Sequence, residues 1–224
     1  MRGSMGKIKI LVAEDHTIVR KGLCSLLHAE EDMVVVGEAE NGRQALKMVE
    51  ELTPDLVLMD ITMPELNGMD ATRQLKKKFP EMKILILSMH TTEAYIFETL
   101  RAGASGYLVK RSAPNDLIKA IHVAMEGGSY LSPDIADKVI NSYVKQKEES
   151  LSGDDGFQVL SDREREVLQL IAEGRANREI GDTLFISPKT VEAHRANIQK
   201  KLGISGTAEL TKYAIIKGLV DLGS

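Results

Sequence analysis

Short apolar runs alternate with longer amphipathic segments from residue 8 to residue 126. The apolar runs predict five β-strands, over residues 8–13, 34–37, 56–59, 84–87 and 106–109. The amphipathic segments predict helices over residues 16–28, 42–52, 69–78, 93–102 and 115–126. Parallel neighbours need crossover helices, and strands that are apolar throughout are typical of sheets buried on both faces. The pattern therefore predicts an α/β fold, a doubly wound five-stranded parallel sheet with helices on both sides.

The first predicted helix shows how its side chains are expected to divide between core and solvent. Cys24, the single cysteine of the chain, lies among leucines and is interpreted as a small core residue rather than a redox group. His16 and Arg20 are interpreted as surface or partner-contact groups. The residues expected on the inner face are Ile18, Val19, Gly22, Leu23, Leu26 and Leu27.

The character of the chain changes after residue 126. Residues 135–144 fit a connecting helix, and the polar, glycine-containing stretch 145–156 is interpreted as a flexible linker. Four helical patterns follow, over residues 162–172, 177–184, 189–202 and 207–217, and none of them resembles a strand. We therefore expect three parts: an α/β domain over 7–126, a connection over 127–157 and an all-α four-helix domain over 158–222.

Composition narrows the class of protein without identifying a partner. Hydrophobic residues make up 43% and charged residues 28% of the 224 residues, which is typical of a globular protein. The formal charge of −4 is too small to indicate nucleic-acid binding, so that case must rest on local features. No apolar run approaches the length of a membrane span, and we expect a cytoplasmic protein. Residues 1–4, which precede a second methionine, Met5, look like an added leader.

Polar side chains stand where four of the predicted strands end. Glu14 and Asp15 follow the first strand, Asp60 the third, Ser88 the fourth and Lys110 the fifth. The carboxyl ends of parallel strands meet at one edge of the sheet, so these five residues are expected to converge. Three carboxylates suit Mg²⁺, Asp60 can act as a nucleophile towards phosphorus, and Ser88 and Lys110 can bind phosphoryl oxygens. Ordinary polar capping of strand ends would account for one or two of the five, but not for the whole set.

These motifs resemble the receiver domain of two-component response regulators over roughly residues 7–126. The motifs that carry the resemblance are Glu14-Asp15-His16, residues 59–64 (MDITMP), Leu87-Ser88 and residues 106–110 (GYLVK). The resemblance implies that Asp60 accepts a phosphoryl group from a sensor histidine kinase. It also implies that Mg²⁺ is held by Glu14, Asp15, Asp60 and the main-chain carbonyl of Thr62. Related receivers often have two aspartates where this chain has Glu14-Asp15, so either carboxylate could reach the metal through water.

The resemblance also assigns a conformational switch. Ser88 and Tyr107 are similar to the pair that couples phosphorylation to a change of the receiver surface. An ordinary half-buried strand tyrosine is the alternative for Tyr107. His90 and Thr62 lie two residues beyond Ser88 and Asp60, where they could flank the water that removes the phosphoryl group. His90 could equally be a solvated loop residue.

The C-terminal pattern predicts a helix-turn-helix. Ser161 and Glu164 have capping-box spacing, and Ser187-Pro188 has the form of an N-cap followed by the first helical residue. On the helix after Pro188, an inner face is expected from Val191, Ile198 and Leu202, with His194 or Arg195 between them. The residues predicted to contact DNA are Lys189, Thr190, Glu192, Ala193, His194, Arg195, Ala196, Asn197, Lys200 and Lys201. A small helical bundle with a charged surface is the alternative interpretation.

The same segment resembles the LuxR-type DNA-binding domain, and the two domains together resemble the NarL/FixJ family. The residues that carry this second resemblance are 160–168, 171–174, 187–194 and 201–203. Gly181 departs from the usual alanine, at a cost of about 1 kcal/mol in helix propensity, and Glu192 departs from a position that is often basic. The expected function is transcriptional regulation through phosphorylation of Asp60 and binding to double-stranded DNA. The last helix is expected to pair two copies into a homodimer, or else to close the core.

Two other functions remain open from the sequence. A phosphatase of the haloacid-dehalogenase type also uses an aspartate nucleophile with Mg²⁺, but it normally has a second acid where this chain has Thr62. A regulator that ignores phosphorylation could use the same domain only as a scaffold. We expect no enzyme of metabolism: the receiver would promote only its own aspartyl phosphorylation and dephosphorylation.

Overall fold

The structure, a computed structural model, describes residues 6–112, 114–149 and 159–220. The chain divides into two compact units between Lys147 and Glu148, and each is described by itself below. The expected leader and residues 150–156 of the expected linker lie outside the described residues.

A six-stranded sheet, parallel throughout, forms the centre of the first unit. Its strand order is β2-β1-β3-β4-β5-β6, which extends the flavodoxin-like order by one strand. The predicted α/β doubly wound sheet is confirmed, with one strand more than predicted. The strands are β1 (Ile8–Ala13), β2 (Met33–Ala39), β3 (Leu56–Asp60), β4 (Lys83–Ser88), β5 (Gly106–Val109) and β6 (Tyr130–Leu131).

Helices cover both faces of this sheet and enclose two apolar cores. One core contains Val57, Met59 and Tyr107, and the other contains Leu56, Leu58 and Leu108, so alternate residues of one strand enter opposite cores. The helices are α1 (Thr17–His28), α2 (Gly42–Leu52), α3 (Gly68–Lys78), α4 (Glu93–Arg101), α5 (Pro114–Met125) and α6 (Pro133–Glu149).

The unpredicted strand extends the first unit beyond residue 126. Tyr130 and Leu131 pair with β5, and the next main-chain N–H, of Ser132, donates to the Tyr107 carbonyl at 3.0 Å. Ile135, in the first turn of α6, is fully buried in the core. The connecting segment was expected to begin at 127 and its helix to span 135–144, whereas this segment contributes to the core and the helix spans Pro133–Glu149.

The inner face of α1 differs from the prediction in its first two turns, where Gly22, expected inside, is also exposed. Ile18 is 89% exposed and Val19 is 37% exposed, whereas Arg20 is 5% exposed. Cys24 and Leu27, four and seven residues beyond Arg20, are buried with it. The prediction that Cys24 lies in the core is confirmed, and the prediction that Arg20 lies at the surface is wrong.

Four helices lie at the predicted positions within residues 159–220, which the structure describes in the second unit. Ser161 and Glu164 form the predicted capping box, and Ser187 caps α9 with Pro188 in its first turn. Ile180 and Leu184 are buried, as are Val191 and Ile198 of the following helix. The helices are α7 (Asp162–Ala172), α8 (Asn177–Leu184), α9 (Pro188–Leu202) and α10 (Thr207–Ile216). Within the part of the chain that the structure describes, no helix combines the length and apolarity needed to span a membrane.

Candidate functional site

An acidic pocket lies at the carboxyl ends of β1, β3 and β5. Glu14 directly follows β1, Asp60 ends β3 and Lys110 directly follows β5. The ammonium Nζ of Lys110 lies 2.7 Å from Glu14 Oε2 and 2.8 Å from Asp60 Oδ2. Three side chains that are far apart in sequence therefore meet, as the strand ends predicted.

Asp60 is buried in this pocket and hydrogen-bonded to the main chain. Its residue surface is 4% exposed, and its Oδ1 accepts a hydrogen bond from the Ile61 N–H at 2.8 Å. Burial raises the pKa of Asp60 to about 6, although the charge of Lys110 opposes that rise. Glu14, which is 1% exposed, raises it further by repulsion. The pocket thus holds carboxylates whose negative charge is incompletely neutralised.

The donor set fits a hard divalent cation. One ligand atom from each of Glu14, Asp15, His16 and Asp60 lies within 4.8 Å of the others. The three carboxylates carry more negative charge than the one ammonium of Lys110 balances, and oxygen ligands of this kind suit Mg²⁺. The predicted fourth ligand, the carbonyl of Thr62, stays a prediction.

His16 contacts the acidic residues, although the sequence suggested only a surface or partner-contact role. Its Nδ1 lies 2.7 Å from Asp15 Oδ1 and 3.2 Å from Glu14 Oε1. The charge of Asp15 raises the pKa of His16 above its ordinary value of 6.5, against a smaller opposing effect of burial. The side chain is nevertheless 64% exposed. Its position directly after Glu14-Asp15 is the only sign of this contact in the sequence.

Lys110 is kept charged by the two carboxylates. Burial alone would lower the pKa of its ammonium, but Asp60 and Glu14 raise it, and the net shift is upwards. The side chain is 14% exposed, so the cation is available at the mouth of the pocket. It can therefore pair with an incoming anionic group without first acquiring a proton.

Ser88 and Tyr107 are joined through the main chain of His90. Ser88 is fully buried, and its Oγ accepts a hydrogen bond from the His90 N–H at 3.1 Å. The Tyr107 hydroxyl donates to the His90 carbonyl at 2.8 Å. Tyr107 is fully buried, which raises the pKa of its hydroxyl. The ring lies inside the core and is not half-buried, and the switch role of Tyr107 stays a prediction.

The imidazole of His90 completes this cluster. Its Nε2 lies 3.1 Å from Thr62 Oγ1, in the loop that follows Asp60. Its ring stacks on Tyr95 of α4, with centroids 4.4 Å apart and an angle of 8° between the planes. His90 is thus a partly buried loop residue whose ring contacts both Thr62 and α4, and its role beside the attacking water stays a prediction.

Six of the ten residues predicted to contact DNA lie on the exposed face of α9. On the side opposite Val191 and Ile198, the solvent-exposed residues are Lys189, Glu192, Ala193, Ala196, Asn197 and Lys200. His194 and Arg195 flank this face and are half-buried, as the helical period suggested. The exposed face combines small side chains with two lysines, a composition that permits close approach to a polyanion.

Four of these predicted residues have partners within the second unit. Lys201 Nζ lies 2.7 Å from Glu164 Oε2, and Glu164 is only 4% exposed. Arg195 donates to Thr207 Oγ1 at the start of α10. The other two contacts are Thr190 Oγ1 with Ser187 Oγ at 2.8 Å and Glu192 Oε1 with Asn177 Nδ2 at 3.4 Å. Lys201 and Arg195 therefore contribute to the fold in addition to any contact with DNA.

The inner residues of α10 close the core of the second unit. Leu210 and Ala214 are fully buried in the single chain, and Ile215 is half-buried. Ile216 is 60% exposed at the end of the helix. Leu210, Ala214 and Ile215 form the apolar side of α10 in the sequence, and burial of the first two leaves only its outer residues for pairing two copies, which stays a prediction.

Two family models match the chain in the regions just described. The response regulator receiver domain matches residues 10–122, and the LuxR family of bacterial regulatory proteins matches residues 158–214. The chain belongs to the NarL/FixJ family of response regulators. The predicted family and the predicted function, a two-component regulator with a LuxR-type DNA-binding domain, are confirmed.

Named relatives and solved structures match between 62% and 96% of the length of this response regulator. The oxygen regulatory protein NreC of Staphylococcus haemolyticus is 41% identical over 216 residues, which are 96% of this chain and 100% of that protein. A LuxR-family response regulator from an Aurantimonas species has a crystal structure with a TM-score of 0.60 and 37% identity, covering 62% of this chain and 99% of that one. The RcsB–DNA complex has a TM-score of 0.56 and 26% identity, covering 93% and 98% respectively.

Proposed function

We propose that Asp60 of this response regulator accepts a phosphoryl group from a sensor histidine kinase, and that the modification controls DNA binding by α9. The contact of the Lys110 ammonium with both Asp60 and Glu14, at 2.8 and 2.7 Å, carries the proposal. It places a cation where a phosphoryl group on Asp60 would need one. An aspartate that served only structure would not need a buried acid and a lysine shared between them.

The reaction uses the ionised carboxylate of Asp60. A carboxylate oxygen attacks the phosphorus of the kinase phosphohistidine, the P–N bond breaks, and the histidine nitrogen leaves with the electron pair and takes up a proton. Lys110 pairs with the phosphoryl oxygens as charge develops on them. Glu14, Asp15, Asp60 and the Thr62 carbonyl would hold Mg²⁺. This ion supplies positive charge to the phosphoryl oxygens when bound.

We expect the kinase to contact the exposed apolar residues at the start of α1. Ile18 is 89% exposed one turn beyond Asp15, and Val19 beside it is 37% exposed. Exposed apolar side chains of this size on the helix that follows Glu14 and Asp15 suit a transient protein contact. A kinase helix that presents its phosphohistidine to Asp60 would cover them.

The proposed switch depends on two hydrogen bonds of the His90 main chain, one with Ser88 and one with Tyr107. When Ser88 Oγ turns towards a phosphoryl oxygen, it gives up the hydrogen bond from the His90 N–H, which is 3.1 Å long in this structure. The Tyr107 hydroxyl, on the carbonyl of the same residue, then moves with it. Because His90 stacks on Tyr95, the change reaches α4. A nearly complete shift of such an equilibrium needs roughly 5.5 kcal/mol of differential stabilisation.

Thr62 and His90 would set the lifetime of the phosphorylated state. Their side chains approach to 3.1 Å beside Asp60. Water that hydrolyses the acyl phosphate must reach the phosphorus on the side away from Asp60, where these two groups can orient or exclude it. In this proposal the receiver domain promotes its own phosphorylation and dephosphorylation.

For the second unit we propose that α9 enters the major groove of double-stranded DNA. Its exposed face carries Lys189 and Lys200 for phosphates, with Ala193 and Ala196 small enough for close approach to bases. RcsB, a structural neighbour, has been solved in complex with DNA and as two dimers on two parallel DNAs. We propose that this regulator also binds as a homodimer when phosphorylated, so that it reads two half-sites about one helical turn apart.

The test measures DNA affinity with and without a phosphoryl mimic. A random double-stranded oligonucleotide library is first selected with the full chain in Mg²⁺ and beryllofluoride. Fluorescence anisotropy on an enriched duplex is then expected to show at least roughly tenfold tighter binding with beryllofluoride than without it, corresponding to about 1.4 kcal/mol. The matched variant Asp60→Asn is expected to show no such difference. Equal affinities for the wild-type protein in the two states would support a regulator that ignores phosphorylation.

A further inference from the structure

Arg20 of α1 is a buried cation beside the acidic pocket. The residue is 5% exposed although it carries a guanidinium group. Its Nη1 donates to the main-chain carbonyl of Glu14 at 2.6 Å and approaches the carbonyl of Asp15 at 3.3 Å. A buried guanidinium needs several acceptors in a fixed geometry, so this arrangement constrains the turn between β1 and α1.

The charge of Arg20 is balanced on the side away from the pocket. Its Nη2 lies 2.7 Å from Glu40 Oε1, and its Nε lies 3.3 Å from Glu38 Oε2. Both glutamates come from the end of β2 or just beyond it, next to β1 in the sheet. The guanidinium therefore connects the β1–α1 turn to β2, because it binds the main-chain carbonyls of Glu14 and Asp15 on one side and the two glutamates on the other. The side-chain carboxylates of Glu14 and Asp15 remain directed to the acidic cluster.

We infer that Arg20 is a positioning residue for the divalent cation: it holds the β1–α1 turn so that Glu14 and Asp15 present their carboxylates to one ion. The inference rests on the proposed function, since it takes Mg²⁺ as the ion that the cluster holds. The energetic reason is preorganisation. Glu14 and Asp15 repel each other when no cation lies between them, and fixing their main chain limits how far the two carboxylates can move apart.

A positioning role for Arg20 and simple electrostatics predict opposite changes in Mg²⁺ affinity when the charge of Arg20 is removed. Loss of a cation near a metal site lowers repulsion of the metal, so Coulomb's law alone predicts tighter Mg²⁺ binding by Arg20→Met. Loss of the anchor for two carbonyls predicts weaker binding. Lys21 supplies a matched control, because its Nζ pairs with Glu38 at 2.9 Å and is 63% exposed. Lys21→Met removes a charge close by and leaves the turn anchored.

The experiment titrates Mg²⁺ alone into the full-length protein by isothermal titration calorimetry. We expect Arg20→Met to bind Mg²⁺ roughly tenfold more weakly than the wild-type protein, within the range observed when groups that orient metal ligands are removed. Arg20→Lys is expected to be intermediate, because an ammonium keeps the charge but cannot reach both carbonyls and both glutamates. Lys21→Met is expected to bind as tightly as the wild-type protein or more tightly.

A second measurement separates positioning from loss of structure. With acetyl phosphate as donor, the Mg²⁺ concentration for half-maximal phosphorylation is expected to rise in both Arg20 variants, while the rate at saturating Mg²⁺ returns to within about twofold of wild type. A merely structural role would lower the saturating rate instead. If Arg20→Met does not fold, the Mg²⁺ affinities of Arg20→Lys and Glu40→Gln are compared with that of the wild-type protein instead. Wild-type affinity in every folded variant overturns the inference, whereas failure of the wild-type protein to bind Mg²⁺ overturns the proposed function.

Discussion

Gly68, the first residue of α3, lies against the main chain of Asp60. A Cβ atom built on Gly68 would stand 1.8 Å from the Asp60 carbonyl oxygen and 2.8 Å from its carbonyl carbon. The Gly68 N–H also donates to the Ile61 carbonyl at 2.8 Å, which fixes the two segments together. Gly68→Ala must therefore separate two backbone segments by about 1.6 Å before ordinary contact at 3.4 Å is reached.

The expected cost follows from that overlap. Alanine gains up to about 1 kcal/mol over glycine in helix propensity, but relieving backbone overlap in a packed region costs more. We expect Gly68→Ala to lower the free energy of unfolding of the first unit by a net amount of about 2–3 kcal/mol. Displacing Asp60 by about 1 Å is expected to slow phosphorylation by acetyl phosphate roughly 100-fold at saturating Mg²⁺.

A glycine in α1 supplies the control. Gly22 lies inside α1, is exposed, and a Cβ atom there would have nothing within 4 Å. Gly22→Ala is expected to stabilise the first unit by about 0.5–1 kcal/mol and to leave phosphorylation unchanged. Hydrogen exchange across a urea series, read on peptides of the first unit, measures both variants. A Gly68→Ala protein that unfolds at the wild-type urea concentration would refute the steric argument.

The remaining predictions concern charge. Lys201→Ala leaves the buried carboxylate of Glu164 without its ammonium partner, so we expect a loss of about 1–3 kcal/mol in the stability of the second unit, measured by thermal unfolding. Lys200→Ala, on the exposed face, is expected to leave stability unchanged and to lower the slope of log affinity for DNA against log salt by about 1; an equal loss of stability in both variants would contradict this assignment. Burial raises the pKa of Asp60 from 3.8 to about 6. Ionised Asp60 therefore destabilises the folded protein, and this loss of stability grows as the pH rises through the range between those two values. Asp60→Asn is therefore expected to stabilise the metal-free protein at pH 7 by up to about 3 kcal/mol, and by less at pH 5, in urea unfolding; an advantage that does not depend on pH would disprove this explanation.

The sequence predicted the elements with a clear pattern of apolar residues, because the spacing of those residues alone determines which side of each element is buried. Continuous apolar runs located β1, β3, β4 and β5, and the caps at Ser161 and Ser187 located the starts of α7 and α9. The same argument brought Asp60 and Lys110 together, since topology places parallel strand ends at one edge.

The features that the sequence did not predict depend on contacts that no local pattern encodes. The strand β6 has only two residues, too few for a period, and its indirect sign is Gly106, where a Cβ atom would lie 2.5 Å from the Tyr130 carbonyl oxygen. Arg20 was placed at the surface because it is charged, whereas its acceptors come from the turn before α1 and from Glu38 and Glu40. The position of Arg20 four residues before buried Cys24 is the signal that could have revealed it.

Gly181 illustrates how structure changes an interpretation drawn from propensity. In the sequence it is a glycine inside α8, at a cost of about 1 kcal/mol relative to alanine. In the structure a Cβ atom there would lie 2.7 Å from the Ile186 carbonyl oxygen, in the turn that leads to α9. The glycine permits that close approach, so its cost in helix propensity is offset by the packing of the turn.

The central claim, that Asp60 is the phosphoryl acceptor of a Mg²⁺-dependent pocket, is tested most directly by mapping the modified residue. The full chain is incubated with acetyl phosphate and Mg²⁺, the acyl phosphate is trapped with borohydride, and peptides are sequenced by mass spectrometry. The account predicts a single modification at Asp60 that is lost when Mg²⁺ is chelated and strongly reduced in Lys110→Ala. Modification of another residue in the wild-type protein, or undiminished phosphoryl uptake by Asp60→Asn, would contradict it.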